Sequence, residues 1–151
     1  MKTQRRAFLH FVAAAFLAAF CVSVQAEPDL LQPDEAFRVS ARRVDARVVE
    51  LEYIIAPGYH LYRDRFSFKT DSPAVTVAGV ELPPPLEKFD KAMGQNMRYY
   101  TERVAVRVRL ARGNQTVRLV ATAQGCAAIV GVCYAPITKA FSVPAMGGKQ
   151  G

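Results

Sequence analysis

Tryptophan is missing from the 151 residues, and cysteine (three) and histidine (two) are scarce. Three cysteines are too few to hold together a disulfide-dense mini-protein. The missing tryptophan removes one common binding anchor. Beyond residue 26 no run approaches the roughly 18 apolar residues of a membrane-spanning helix. No internal repeat is visible. What is present, 51% hydrophobic and 22% charged residues, is the make-up of one ordinary globular domain. It excludes a disordered or collagen-like chain.

The first residues stand apart. Lys2, Arg5 and Arg6 precede an apolar run from Phe8 to Val22, interrupted by His10, and Val24-Gln25-Ala26 forms a small-residue cleavage site. This pattern predicts a signal peptide over 1–26, to be set aside in reasoning about the fold. Arg5-Arg6-Ala7-Phe8-Leu9 fits a twin-arginine signal, and equally an ordinary export signal with two adjacent arginines. Cys21 follows the bulky Phe20, which is wrong for a lipoprotein anchor, so it is expected to leave with the leader. Cleavage removes three basic residues from a net charge of +7. The remaining charge is mild and scattered, and no nucleic-acid partner is expected. The exported domain is placed at 27–144, with a frayed tail over 145–151.

The exported part reads as β throughout. Residues 37–44 and 47–55 are rich in β-branched and aromatic side chains, with Asp45-Ala46 as the turn of a hairpin. Val49, Leu51, Tyr53 and Ile55 recur at period two, as does the apolar set of Val104 to Leu110 with its interleaved arginines. Further strands are expected over 60–68, 75–80, 117–123 and 134–143. Seven or more short strands favour an all-β sandwich. Leu82-Pro83-Pro84-Pro85-Leu86 reads as a stiff connection, and Phe89 to Met97 as an apolar, Gly-containing loop.

Chemistry falls on few residues. Cys126 and Cys133 are the two exported cysteines, spaced C-x6-C, matching neither C-x-x-C redox motifs nor zinc knuckles. In an oxidising compartment they are expected to pair. Closing a loop of about eight residues stabilises by roughly 2.5 kcal/mol, against roughly 4 for a loop spanning most of a sandwich. Spacing alone leaves a structural and a redox role both open. His60, the one exported histidine, reads first as a packing residue. A soft copper site from His60, Met93, Met97 and the cysteines is the weaker reading beside methionines packing a loop. No Ser-His-Asp or paired-carboxylate constellation stands out.

Three motifs resemble a known family. Gln124-Gly125-Cys126 with Cys133-Tyr134-Ala135-Pro136-Ile137-Thr138-Lys139 resembles the active-site region of the amino-terminal periplasmic domain of the thiol:disulfide interchange protein DsbD. Pro57-Gly58-Tyr59-His60-Leu61-Tyr62-Arg63-Asp64-Arg65 resembles an early motif of that family, and Leu31-Gln32-Pro33-Asp34-Glu35-Ala36-Phe37 its mature start. The resemblance runs from Leu31 to Val143. It implies an immunoglobulin-like β-sandwich with its two cysteines on adjacent strands. Such a domain takes electrons from a membrane-embedded thiol reductase. It passes them to periplasmic oxidoreductases: disulfide isomerases and the thioredoxin-like proteins of cytochrome c maturation. By this resemblance Cys133 meets the partner, Cys126 resolves the mixed disulfide, and Tyr59 and Tyr62 line the site. No metal or organic cofactor is implied, and a monomer is expected.

The resemblance also implies a cap loop with a shielding aromatic, at Phe89-Asp90-Lys91-Ala92-Met93-Gly94. No aromatic stands before Gly94, which leaves Met93 or Phe89 for the role. The family spacing is one residue shorter, with an acidic residue between the cysteines. The chain lacks the family's transmembrane segments and carboxy-terminal thioredoxin-like domain, so a stand-alone version is expected, fed by another protein. The rival reading is a non-catalytic binding or copper-handling sandwich with a structural disulfide.

Overall fold

The computed structural model describes residues 30–90, 94–113 and 115–147. The leader over 1–26 and Met93 lie outside the described residues.

Twelve strands follow one short helix among the described residues. Helix α1 is Pro33–Ala36, started by a proline and by Glu35 reaching back to the Gln32 N–H at 3.2 Å. Strands β1 (Phe37–Asp45), β2 (Val48–Ile55), β8 (Arg103–Leu110) and β5 (Val77–Glu81) form one antiparallel sheet in the order β1-β2-β8-β5. Strands β12 (Ile137–Val143), β9 (Val117–Ala123) and β4 (Ser67–Thr70) form a second. The inward residues Val49, Leu51, Tyr53 and Ile55 of β2, Val104, Val106, Val108 and Leu110 of β8, and Val117, Leu119, Ala121 and Ala123 of β9 are all buried in one core. Each such valine or leucine contributes roughly 1.5–3 kcal/mol by leaving water. The molecule is the expected all-β, immunoglobulin-like sandwich.

A third sheet carries the cysteines. Its order is β11 (Val132–Cys133), β10 (Gly125–Ala127), β3 (Tyr59–Tyr62), β7 (Gln95–Tyr100) and β6 (Leu86–Asp90). It arises because two stretches of chain change sheets together. Residues 59–70 are interrupted by a 3-10 turn at Arg63–Arg65, and β9 gives way to β10 at Gln124. β3 therefore pairs with β10 while β4 pairs with β9. The turn is held by Arg98, whose guanidinium donates two hydrogen bonds to Asp64 at 2.6 and 3.1 Å.

The structure departs from the sequence expectation in three places. The strand expected over 60–68 is split by that turn. The last strand starts at Ile137, after Pro136, rather than at Tyr134. Most of the expected loop at Phe89 to Met97 is strand. Phe89 and Asp90 end β6, Gln95 opens β7, and the two strands pair in antiparallel register from Leu86↔Tyr99 to Asp90↔Gln95.

Candidate redox site

The local chain explains how the cysteines meet. Cys126 and Cys133 are direct cross-strand partners, with Ala127 and Val132 as the next pair. The six intervening residues therefore divide into one closing pair and a four-residue connection. That connection ends on Gly131, whose φ of 67° suits glycine, and Gly131 N–H donates to the Ala127 carbonyl at 2.9 Å. The two sulfurs are joined in a disulfide, with Cα atoms 3.9 Å apart. A connection of this length leaves the cysteines opposed.

The pair is asymmetric. Cys126 is 2% exposed, while Cys133 is exposed on the edge strand β11. Beside Cys133 the apolar side chains of Ile129, Val130 and Val132 also face solvent, Ile129 at 87%.

Register decides which other residues share the face. On β3, His60 lies directly opposite Cys126. Tyr62, two residues on, points to the same side. Its hydroxyl is 3.4 Å from Cys126 Sγ and must be the donor, because a disulfide sulfur carries no proton. His60 packs edge-on to Tyr62 at 4.8 Å between ring centroids and against Tyr99 of β7 at 5.4 Å. Burial pushes the Tyr62 phenol up, with Asp90 adding to the shift and Arg65 opposing it. Burial pulls His60 below its ordinary value, against the negative charge of Asp90 and with the positive charge of Lys88. Through the Tyr62↔Tyr99 and Leu86↔Tyr99 registers, both β6 residues are in phase with His60 and Tyr62 on this side of the sheet.

Tyr59 takes the other face. It is opposite Ala127, edge-on to Phe37 at 5.9 Å, and accepts a hydrogen bond from Leu31 N–H at 3.0 Å. Tyr134, the residue after Cys133, donates to the Leu31 carbonyl at 2.7 Å. The two tyrosines clasp the start of the domain instead of lining the sulfurs. Of the expected cap residues, Asp90 is in phase with Tyr62 and Tyr99, through the Leu86↔Tyr99 register. Phe89 is out of phase and 57% exposed. Gly94 stands at the hairpin tip with a φ of 65°, and Met93 is outside the described residues.

Reading the sequence missed Tyr99 and undervalued His60. Tyr99-Tyr100 was an available signal: on a strand, one ring of such a pair faces the core and the other the opposite side. Here Tyr100 is buried and Tyr99 meets His60. Among the described residues no cluster of three or more His, Cys, Asp or Glu is arranged to hold a metal ion.

Known proteins share this fold. Residues 27–145 match the family described as thiol:disulfide interchange protein DsbD, N-terminal. The chain is 37% identical over 127 residues to the DsbD of Ralstonia nicotianae, covering 84% of this chain and 21% of that protein. To DsbD 1 of Pseudomonas aeruginosa it is 38% identical over 116 residues, 75% of this chain and 19% of that one. It thus spans about a fifth of the length of these curated relatives. Among solved structures, the reduced DsbD amino-terminal domain of Neisseria meningitidis superposes with a TM-score of 0.69 at 34% identity, over 79% of this chain and 93% of that one. A second, of that organism's DsbD amino-terminal domain in complex with the PilB amino-terminal domain, gives 0.63 at 30% identity, over 76% and 87%. A family match over most of the chain, relatives above 30% identity and a shared sandwich agree, and the chain belongs to the family of DsbD amino-terminal domains.

Proposed function

We propose that this domain carries out thiol–disulfide exchange through Cys126 and Cys133, relaying electrons between proteins of the periplasm. The observation that carries the reading is the asymmetric disulfide: one sulfur buried, the other exposed on a sheet edge among apolar side chains. In the reduced domain the Cys133 thiolate attacks the partner's disulfide and forms a mixed disulfide, releasing the partner's other sulfur as a thiolate. The Cys126 thiolate then attacks Cys133 Sγ. The intramolecular disulfide re-forms and the partner leaves reduced. A buried thiol is badly placed to meet a protein and well placed to resolve, which favours these roles over the reverse.

The acceptors are thioredoxin-like or disulfide isomerase proteins; the relative solved with a PilB domain supports a protein partner. The donor is a membrane-embedded thiol reductase, and the leader over 1–26 directs export. The test is trapping in periplasmic extract. Cys126→Ala should accumulate mixed disulfides and Cys133→Ala should yield none. Trapping by Cys133→Ala alone would reverse the roles. A reduction potential below about −300 mV, the range of structural disulfides, would return the pair to a staple.

A further inference from the structure

Cys126 poses a problem of proton transfer. At 2% exposure it sits where burial disfavours a thiolate. Yet resolution requires the thiolate. Bulk water reaches it poorly, so the acceptor must come from the protein. Four elements bring groups to this face. Tyr62 on β3 holds its proton, since burial and Asp90 both push its phenol up. Tyr99 comes from β7, Lys88 and Asp90 from β6, and the partner sulfur of Cys133 from β11. His60 stands directly across the ladder from Cys126, where opposed Cβ atoms are about 5 Å apart.

We infer that His60 is the general base that takes the Cys126 proton when this thiol resolves a mixed disulfide. The inference rests on Cys126 being the resolving cysteine. Desolvation keeps the ring neutral near pH 7, with one nitrogen free to accept. Asp90 favours the imidazolium once formed, and Lys88 opposes it. The step balances. The S–H proton passes to the imidazole, the thiolate electron pair forms the Cys126–Cys133 bond, and the bond from Cys133 to the partner breaks. The partner sulfur departs with that electron pair and is protonated by the imidazolium or by water. In the reverse direction His60 returns the proton to Cys126 as the disulfide is reduced.

Dithiobis(nitrobenzoate) separates the two steps. Mixed one-to-one with the reduced chain in a stopped-flow instrument, it releases one coloured thiolate as Cys133 attacks and a second as Cys126 resolves. His60→Gln should slow the second phase about tenfold or more at pH 7 and flatten its rise with pH, leaving the first within about twofold. Added imidazole should restore the second phase in His60→Ala. Cys126→Ala should release its single thiolate at the wild-type first-phase rate and Cys133→Ala should react far more slowly, which checks the assignment beneath. If His60→Gln slows the first phase alone and Cys133→Ala is the variant that keeps the wild-type first-phase rate, the cysteine roles are reversed, and the inference falls with them. If Cys126→Ala keeps that rate as expected but the second phase of His60→Gln is unchanged, His60 alone is overturned. Slowing of both phases equally in His60→Gln and His60→Tyr also overturns it, because the residue then acts on the sheet and not on the step.

Discussion

Gly125 shows how tightly one residue can be constrained. A Cβ there would sit 2.7 Å from Phe37 Cζ and collide with the His60 carbonyl, so β10 can approach β3 closely only with glycine beside Cys126. Gly125→Ala should lower stability by roughly 3 kcal/mol, the upper end of overpacking costs, and urea unfolding would measure it. His60 adds a pH dependence. Its native pKa lies below the ordinary value, so between the two values the unfolded chain binds the extra proton. Its contribution is therefore complete above about 6.5 and is lost as pH falls through the native value. The urea midpoint of the oxidised domain should decline as pH drops from 7 towards 5, and His60→Gln should flatten that slope. A second loss belongs at more acid pH. Arg107 and Arg42 hold the Glu50 carboxyl below its usual range, so its contribution is present above about 4.5 and lost as pH falls below that.

At the scale of elements, Arg43 near the end of β1 joins three parts of the chain. Its guanidinium donates to the carbonyls of Pro144, Ala46 and Gln115 at 2.7–2.8 Å. It ties the β1–β2 turn to the segment before β9 and the chain after β12. Arg43→Met should cost about 1–2 kcal/mol, and Arg43→Lys should recover little of it, since an ammonium cannot present a rigid fork to three acceptors. Thermal unfolding of both variants decides this. The strands that could be read from sequence are the ones with an inside and an outside. β2, β8 and β9 alternate because one face meets the core. β6 has no buried residue, so its sequence, Leu86-Glu87-Lys88-Phe89-Asp90, carries no period to detect. The pairing of Cys126 with Cys133 was legible in their isolation, while the contact of Tyr62 with Cys126 comes from the fold. Tyr59 was misplaced because the motif does not state which side of β3 faces the sulfurs. His60 read as a packing residue because a lone histidine acquires meaning only from the strand set opposite it, and that pairing joins distant parts of the chain.

At the scale of the whole molecule, the core and the disulfide occupy different places. Its core lies between the two sheets built on β2, β8 and β9, and the disulfide sits on the edge of a third. Reduction should leave the sandwich intact and lower its stability by about 2.5 kcal/mol or less, the value of so short a loop. Matching far-ultraviolet circular dichroism and closely spaced urea midpoints with and without dithiothreitol would bear this out; unfolding on reduction would contradict it. The spacing of the cysteines, seven positions apart along the chain, also bears on biogenesis. A loop of that length closes in tens of nanoseconds in a structureless chain, so the sulfurs come within reach of each other before any strand has paired. Oxidation of this stretch of a newly made polypeptide then needs no folded template. With two cysteines beyond residue 26, that region admits a single pairing, and no isomerase is needed to correct a wrong one within it.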